Sequence, residues 1–512
     1  MNKRLVGSLV SVLLLLIAGW FVLAGSRSTV IDTLIPPPFA MADPVPPQFP
    51  DKRCVITDYG ANQSSTSDTT EAVKRAVNDC TASGGGHVVV PEGVWPIGPI
   101  KLASHIDLHL DRGAELQFDD NPALYLPVVF TRFEGIELMN YSPLIYVKDA
   151  TDIAITGEGK LNGQNKEWQK WKGWQSNEAA SLYEMGRNGV PVAERVFGSD
   201  RKGLRPSFVQ FINCKNILLE QFSITSSPMW TIHPVYSENI LIRNLTIDTE
   251  GHNTDGIVID SSRNVLIENS EIKSGDDNIA IKSGLDQDGW RVNRPSENVI
   301  IRNCIFTGGH SAVAIGSEMS GGIRNVLVEN SRLPLVDQGV RIKSVDGRGG
   351  IVENVWVKNI EAGVIDNAVF QIDLTYDATS VESKNRDTPT IQNIYVDDIR
   401  CEQTKYAVRI EGLKEKPINH VIVTNLSANT SKGNLLSNIS NSSIFNVLTP
   451  TQRNNPTFSV TNASNLTVTH PTCTAKCFKF LDDTSTNVVL QSSNLLERAL
   501  HLNRFSKSTS LK

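Results

Sequence analysis

Asn239-Ile-Leu-Ile-Arg-Asn244, Asn264-Val-Leu-Ile-Glu-Asn269, Asn298-Val-Ile-Ile-Arg-Asn303, Asn325-Val-Leu-Val-Glu-Asn330 and Asn354-Val-Trp-Val-Lys-Asn359 repeat one pattern. Each is a short apolar run, rich in β-branched residues, with one polar residue and an Asn at either end. Looser copies begin at Asn216 and Asn393, and a stretched one spans Asn419 to Asn425. The starts at 216, 239, 264, 298, 325 and 354 are separated by 23, 25, 34, 27 and 29 residues. Such runs are too short for stable helices and read as strands. A second short strand follows in each period, as in Gly256-Ile-Val-Ile259, Ile279-Ala-Ile281, Ala312-Val-Ala-Ile315 and Val340-Arg-Ile342. No amphipathic helix separates the strands, which excludes a doubly wound sheet and a (β/α)8 barrel. Several strands per period, stacked by repetition, predict an all-β parallel β-helix, a solenoid. Asn at the strand ends tolerates left-handed backbone and can hydrogen-bond along the stack. A β-sandwich is the alternative, but its strands should alternate in polarity and lack this period.

The repeat resets what the length implies. A chain of 512 residues suggests about three domains at roughly 150 residues each. Here residues 51–472 are expected to form a single solenoid. Its N-terminal end carries a helix signal: Asp68 can cap, Glu71 follows, and Ala72, Val73, Ala76 and Val77 supply an apolar face. Such a helix would cover the open end of the stack. Residues 473–512 depart from the repeat and are expected to form a C-terminal cap or tail.

Ahead of the solenoid, Lys3 and Arg4 precede an apolar run from Leu5 to Ala24. Residues 1–28 therefore read as an export signal, or as an uncleaved membrane anchor. Residues 29–50 carry seven prolines between Pro36 and Pro50 and read as a stiff linker. Of the seven cysteines, Cys54 and Cys80 flank the first folded segment and make a plausible disulfide in an exported chain. Cys473 and Cys477 could close a small loop, and Cys214, Cys304 and Cys401 are expected as buried thiols. No Cys/His cluster has zinc spacing. Asn62, Asn438, Asn441 and Asn462 begin Asn-X-Ser/Thr triplets, which matter only in a glycosylating pathway.

The net charge of −6 excludes a general basic field for nucleic acid, so a polyanionic partner needs a local cationic site. Polar clusters occupy comparable points of successive repeats: Asn253-Thr-Asp255-Gly256, Gly275-Asp276-Asp277-Asn278, Gly309-His310 and Arg341-Ile342-Lys343. Each falls beside the second strand of its coil. Taken singly, each is a good turn or a solvated edge. With neighbouring strands about 4.8 Å apart, all should gather on one lateral face. Three carboxylates, a histidine and two cations so placed would be costly or idle without a ligand. They suit glycosidic hydrolysis, in which one carboxyl protonates the leaving oxygen and another activates water or forms a covalent intermediate. Arg341 and Lys343 could hold the carboxylate of an acidic sugar.

The order Asn-Thr-Asp, Gly-Asp-Asp, Gly-His, Arg-Ile-Lys resembles glycoside hydrolase family 28, the polygalacturonase family, over roughly residues 50–470. The resemblance implies a right-handed parallel β-helix and metal-independent, cofactor-free, inverting hydrolysis of α-1,4-linked galacturonic acid in pectin. By matched motif it implies Asp276 as general acid, and Asp255 with Asp277 positioning the attacking water. It also implies that His310 supports the acid and that Arg341 and Lys343 bind substrate carboxylate. Tyr376 lies where the family often places a substrate-contacting tyrosine. Ser311 departs from the glycine many members carry after the histidine, which bears on local loop geometry. Asn140-Tyr-Ser-Pro-Leu-Ile-Tyr146, Ser227-Pro-Met-Trp-Thr-Ile-His233-Pro-Val-Tyr236 and Gly316-Ser-Glu-Met-Ser-Gly-Gly322 resemble exo-acting members. Residues 162–205 form an insertion with Trp168, Trp171 and Trp174, which either stack on sugar or pack the insertion onto the solenoid. Rival readings are a rhamnogalacturonan or substituted-galacturonan hydrolase, a pectate lyase, and a non-catalytic β-helix that binds polysaccharide. The expected partner is an acidic polysaccharide, with the chain a monomer.

Overall fold

The computed structural model describes residues 35–199, 202–376, 387–451, 455–469, 471, 477–491 and 510–511. The expected export or anchor segment and Cys473 lie outside them. The chain divides into two units, Met1–Phe39 and Ala40–Lys512, and every element below belongs to the second. Among the described residues, no helix is long and apolar enough to cross a membrane.

The repeats wind into a parallel β-helix, one coil per period. In the central coils three strands follow one another and each pairs in parallel with its counterpart a coil away. Ile232–Val235, Ile257–Asp260, Asp277–Lys282, Ser311–Gly316 and Val340–Lys343 form one stack. The Asn-bounded runs Lys215–Glu220, Glu238–Arg243, Arg263–Glu268 and Ser296–Arg302 form the second, joined by the first half of Ile323–Val336. Ser223–Thr225, Thr246–Asp248, Glu271–Lys273 and Ile305–Thr307 form the third. Of the three apolar residues per run, the outer two enter the core. Ile240 with Ile242, Val265 with Ile267 and Val299 with Ile301 are at most 1% exposed.

The bounding asparagines do both things their chemistry allows. Asn239, Asn244, Asn264, Asn269, Asn298 and Asn303 all have φ between 52° and 58°. Their side chains also link the coils: Asn239 donates to Asn216, Asn264 to Asn239, Asn298 to Asn264 and Asn325 to Asn298, at 3.0–3.2 Å. A residue without a side-chain amide would lose the ladder, and a β-branched one would strain the corner.

Helix Thr66–Ala82 covers the N-terminal end and buries Ala72, Val73, Ala76 and Val77. Its cap is Ser65, whose hydroxyl accepts from the Asp68 amide at 3.3 Å; Asp68 sits inside the first turn. The Ser65 hydroxyl wins because its residue is extended, as a cap must be. Cys54 and Cys80 are disulfide-bonded, Cys477 is disulfide-bonded, and Cys214, Cys304 and Cys401 are buried free thiols. Residues 40–48 of the proline-rich stretch share a groove with Asn216, Asn239, Asn264 and Asn298, and Asp43 pairs with Arg302 at 2.9 Å. At the other end Thr486–Gln491 pairs in parallel with Phe458–Thr469, so the stack runs past residue 472.

Candidate active site

The sequence clusters meet on the outer face of the first stack. Registers place Asp277 beside Ser311, Ala314 beside Arg341 and Gly316 beside Lys343. The backbone joins the turns that precede the strands: Gly256 N donates to Asp277 O at 3.0 Å, and His310 N donates to Asp276 O at 2.9 Å. This close stacking explains Gly309, at φ +75°, where a Cβ would lie 2.3 Å from Asp276 O.

Asp255, Asp276 and Asp277 each bring an oxygen to within 4.8 Å of the others. Asp255 and Asp277 are buried, and Asp276 keeps 18% of its side chain exposed toward His310. His310 Nδ1 lies 3.0 Å from Asp276 Oδ1, and Lys343 Nζ donates to Asp277 Oδ2 at 2.7 Å. Arg341 is held by Asp373 Oδ2 at 3.0 Å, and its guanidinium lies 4.8 Å from the Tyr376 ring centre, with Lys343 Nζ at 5.0 Å. All seven residues singled out from the sequence therefore belong to one site.

The charges distribute the protons unevenly. Burial pushes the Asp255 carboxyl well above the carboxylate range, and Asp276 and Asp277 add to it. Burial acts the same way on Asp276, but the His310 hydrogen bond, with Lys343 and Lys282, outweighs it and holds Asp276 low. His310 rises in return, chiefly through its bond to Asp276. The sequence reading needs a protonated Asp276; here Asp255 is the carboxyl raised and Asp276 the one held low, because Asp276 touches the histidine.

Several groups at the site escape the sequence motifs. Lys282 is buried between Glu318, the Gly316 carbonyl at 3.3 Å and the Trp230 ring at 5.0 Å. Its signal was present: Ile281-Lys282-Ser283 repeats as Ile342-Lys343-Ser344, and the register stacks Lys282, Gly316 and Lys343 in one column. Asp373, three coils after Asp276 and Asp277, had no motif to mark it.

The insertion packs against the site's edge. Helix Lys172–Arg187 and the hairpin of Val129–Phe133 with Ile136–Asn140 cover Trp230, Val258 and Ala280 on the outer face of the stack. Buried Arg205 donates to Asn253 Oδ1 and to the His252 carbonyl, both at 2.8 Å, two and three residues before Asp255. Desolvation lowers its pKa to about 10. Trp168 is fully buried against Tyr125, Tyr141 and Trp171, so this tryptophan packs the insertion onto the solenoid.

Residues 197–449 match the model of Glycosyl hydrolases family 28. A "Probable polygalacturonase" of Vitis vinifera is 32% identical over 73% of this chain and 73% of its own length. The "Exo-poly-alpha-D-galacturonosidase" of Dickeya chrysanthemi is 27% identical over 79% of this chain and 70% of its own. The crystal structure of an exopolygalacturonase from Thermotoga maritima superposes with a TM-score of 0.73 at 38% identity, covering 80% of this chain and 94% of that one. With the fold and the clustered carboxylates in place, these likenesses show that the chain is a glycosidase and belongs to glycoside hydrolase family 28.

Proposed function

We propose that the chain hydrolyses α-1,4-galacturonosidic bonds of polygalacturonate, working from chain ends with inversion at the anomeric carbon. The observation that carries this reading is the carboxylate triad with His310 on one member and Lys343 on another. Asp276, the member open to solvent, takes up the proton of Asp255 when substrate is bound and gives it to the glycosidic oxygen as the bond breaks, leaving Asp255 a carboxylate. Asp255 and Asp277 orient a water whose oxygen attacks the anomeric carbon, and its released proton replaces the one spent. Lys343, Arg341 and the Tyr376 ring bind the sugar carboxylate. The wall of Arg205, Lys172 and Asn253 beside Asp255 supports an end-closed cleft. The names of the relatives from Dickeya and Thermotoga support the same substrate and direction. We assign the chain to the exported compartment, as a monomer acting on acidic polysaccharide.

Carboxylates within 4.8 Å are as close as the roughly 5–5.5 Å pair of retaining enzymes, nearer than the usual inverting gap. Inversion rests on the second buried carboxylate, which gives a water two acceptors, and on the family resemblance. Proton NMR of the first products from a polygalacturonate of defined length is expected to show the β-anomer of monomer or dimer. An α-anomer would overturn inversion, and a ladder of long oligomers would overturn end attack.

The proton distribution also fixes a pH response. Activity requires one proton on the triad, so kcat/KM falls at low pH as Asp276 gains the second and at high pH as Asp255 loses the first. His310→Ala removes the group that holds Asp276 low, and the acid limb should move to higher pH. An unmoved acid limb would separate His310 from the protonation of Asp276.

A further inference from the structure

The first stack continues past the proposed site, and its outward row carries a second cationic cluster that the mechanism does not use. Arg341 registers beside Gln371, and Gln371 beside Arg409, so Arg409 occupies the same outward position two coils further on. At the strand spacing this is about 9–10 Å from Arg341. Beside it stands Tyr406, with the Arg409 guanidinium and Lys432 Nζ each 5.7 Å from its ring centre. The composition of the first cluster is repeated: one tyrosine ring flanked by two cations. Arg409 is tied to Glu411 at 2.5 Å, as Arg341 is to Asp373, so each guanidinium is oriented by a carboxylate while keeping further donors. Arg409 and Tyr406 are half-buried and Lys432 is exposed.

The row between the clusters is polar. Gln371 is 1% exposed, and its Oε1 has no hydrogen-bond partner; Arg341 Nε is buried and also lacks one. Gln338, in the turn one coil after His310, likewise carries a buried Oε1 without a partner. Unsatisfied buried polar atoms are costly unless a ligand completes them. The opposite direction along the stack is closed near Asp255 by Arg205 and the insertion. A polymer seated on Asp276 therefore has its open path over the later coils.

We infer that Arg409, Tyr406 and Lys432 form a distal subsite that binds a carboxylate-bearing sugar in the departing portion of the substrate. The inference rests on the proposed polygalacturonate activity. An uncharged sugar would leave two cations unused beside the ring, whereas a uronate offers the guanidinium an anionic oxygen pair. The Tyr406 ring supplies the apolar surface for a sugar face.

The test is the dependence of KM on substrate length, measured with purified di-, tri-, tetra- and hexagalacturonate. In the unaltered enzyme KM should fall as the chain grows long enough to reach Arg409. Arg409→Ala combined with Lys432→Ala should raise KM for the hexamer about tenfold relative to that for the dimer, the worth of one charged contact. Lys432→Glu changes only an exposed side chain and guards against misfolding of the double variant. It should raise the hexamer KM by a smaller factor that shrinks in high salt. Variants that keep the unaltered length dependence would overturn the subsite while leaving the activity standing. An unaltered enzyme that cleaves no galacturonide would overturn the activity, and the subsite with it.

Discussion

Asp276→Asn is expected to lower kcat on polygalacturonate by about 10²–10⁴-fold with little change in KM, the range general acid catalysis supplies. The change is nearly isosteric, and the loss is of the proton donor alone. The amide has the size of the carboxylate, and the side-chain hydrogen bond of Asp276 to the exposed His310 can be kept. An amide keeps a bond to the imidazole but has no proton to give the leaving oxygen. Asp255 cannot substitute, because it is 3% exposed and lies beside Asp276 and Asp277, so its proton reaches the leaving oxygen only by way of Asp276. The variant should unfold at the same temperature as the parent, which separates chemistry from folding. A fluorogenic galacturonide with a very acidic leaving group needs little protonation, so much of its hydrolysis should survive. Full turnover of the natural polymer by the variant would remove Asp276 as the acid. Equal loss on both substrates would assign it to water activation instead.

Much of this architecture is legible in the residue order because a solenoid writes its contacts locally. The Asn-bounded runs mark the corners of successive coils, and their spacing alone brings Asp255, Asp276, His310 and Arg341 to one face. What stays hidden are groups whose role depends on a partner remote in sequence. Asp373 orients Arg341 from 32 residues away, and nothing around it marks this task. The raised pKa of Asp255 beside a lowered Asp276 is hidden for the same reason. It depends on which carboxylate touches His310, and the Gly-Asp-Asp motif offers two candidates. Insertions are the third blind spot. The tryptophans of residues 162–205 fit sugar stacking and packing equally well until Trp168 is seen between Tyr125 and Tyr141.

The hairpin over the first stack is held by a charge with no access to water, and its removal should have the largest effect on stability. Arg132, on Val129–Phe133, and Asp260, at the end of Ile257–Asp260, meet at 3.1 Å with neither side chain exposed. Arg132 also donates to Ser261 Oγ at 2.9 Å and to the Gly135 carbonyl at 3.2 Å, and it lies 4.9 Å from the Tyr236 ring centre. Burial alone would push Asp260 up, but Arg132 and the His233 hydrogen bond hold it below the ordinary range. Arg132→Met fills the space yet strands a buried carboxylate, and breaking such a pair costs about 3–5 kcal/mol. In the parent, the lowered pKa of Asp260 contributes stability above its unfolded value, lost as pH falls through the folded value. In the variant that carboxyl moves up instead, so the deficit against the parent should be greatest near neutral pH and shrink in mild acid. Arg132→Met with Asp260→Asn removes both charges and should recover much of the loss, which no simple packing defect would do. Urea unfolding at two pH values measures all of this, and a deficit below about 1 kcal/mol for the single variant would reject a structural charge pair. The same lesion bears on catalysis, because the hairpin and helix Lys172–Arg187 share the cover over Trp230, Val258 and Ala280. On the proposed end-directed action, loosening that cover should open the cleft beside Asp255, and longer oligomers should then appear among the products of the single variant.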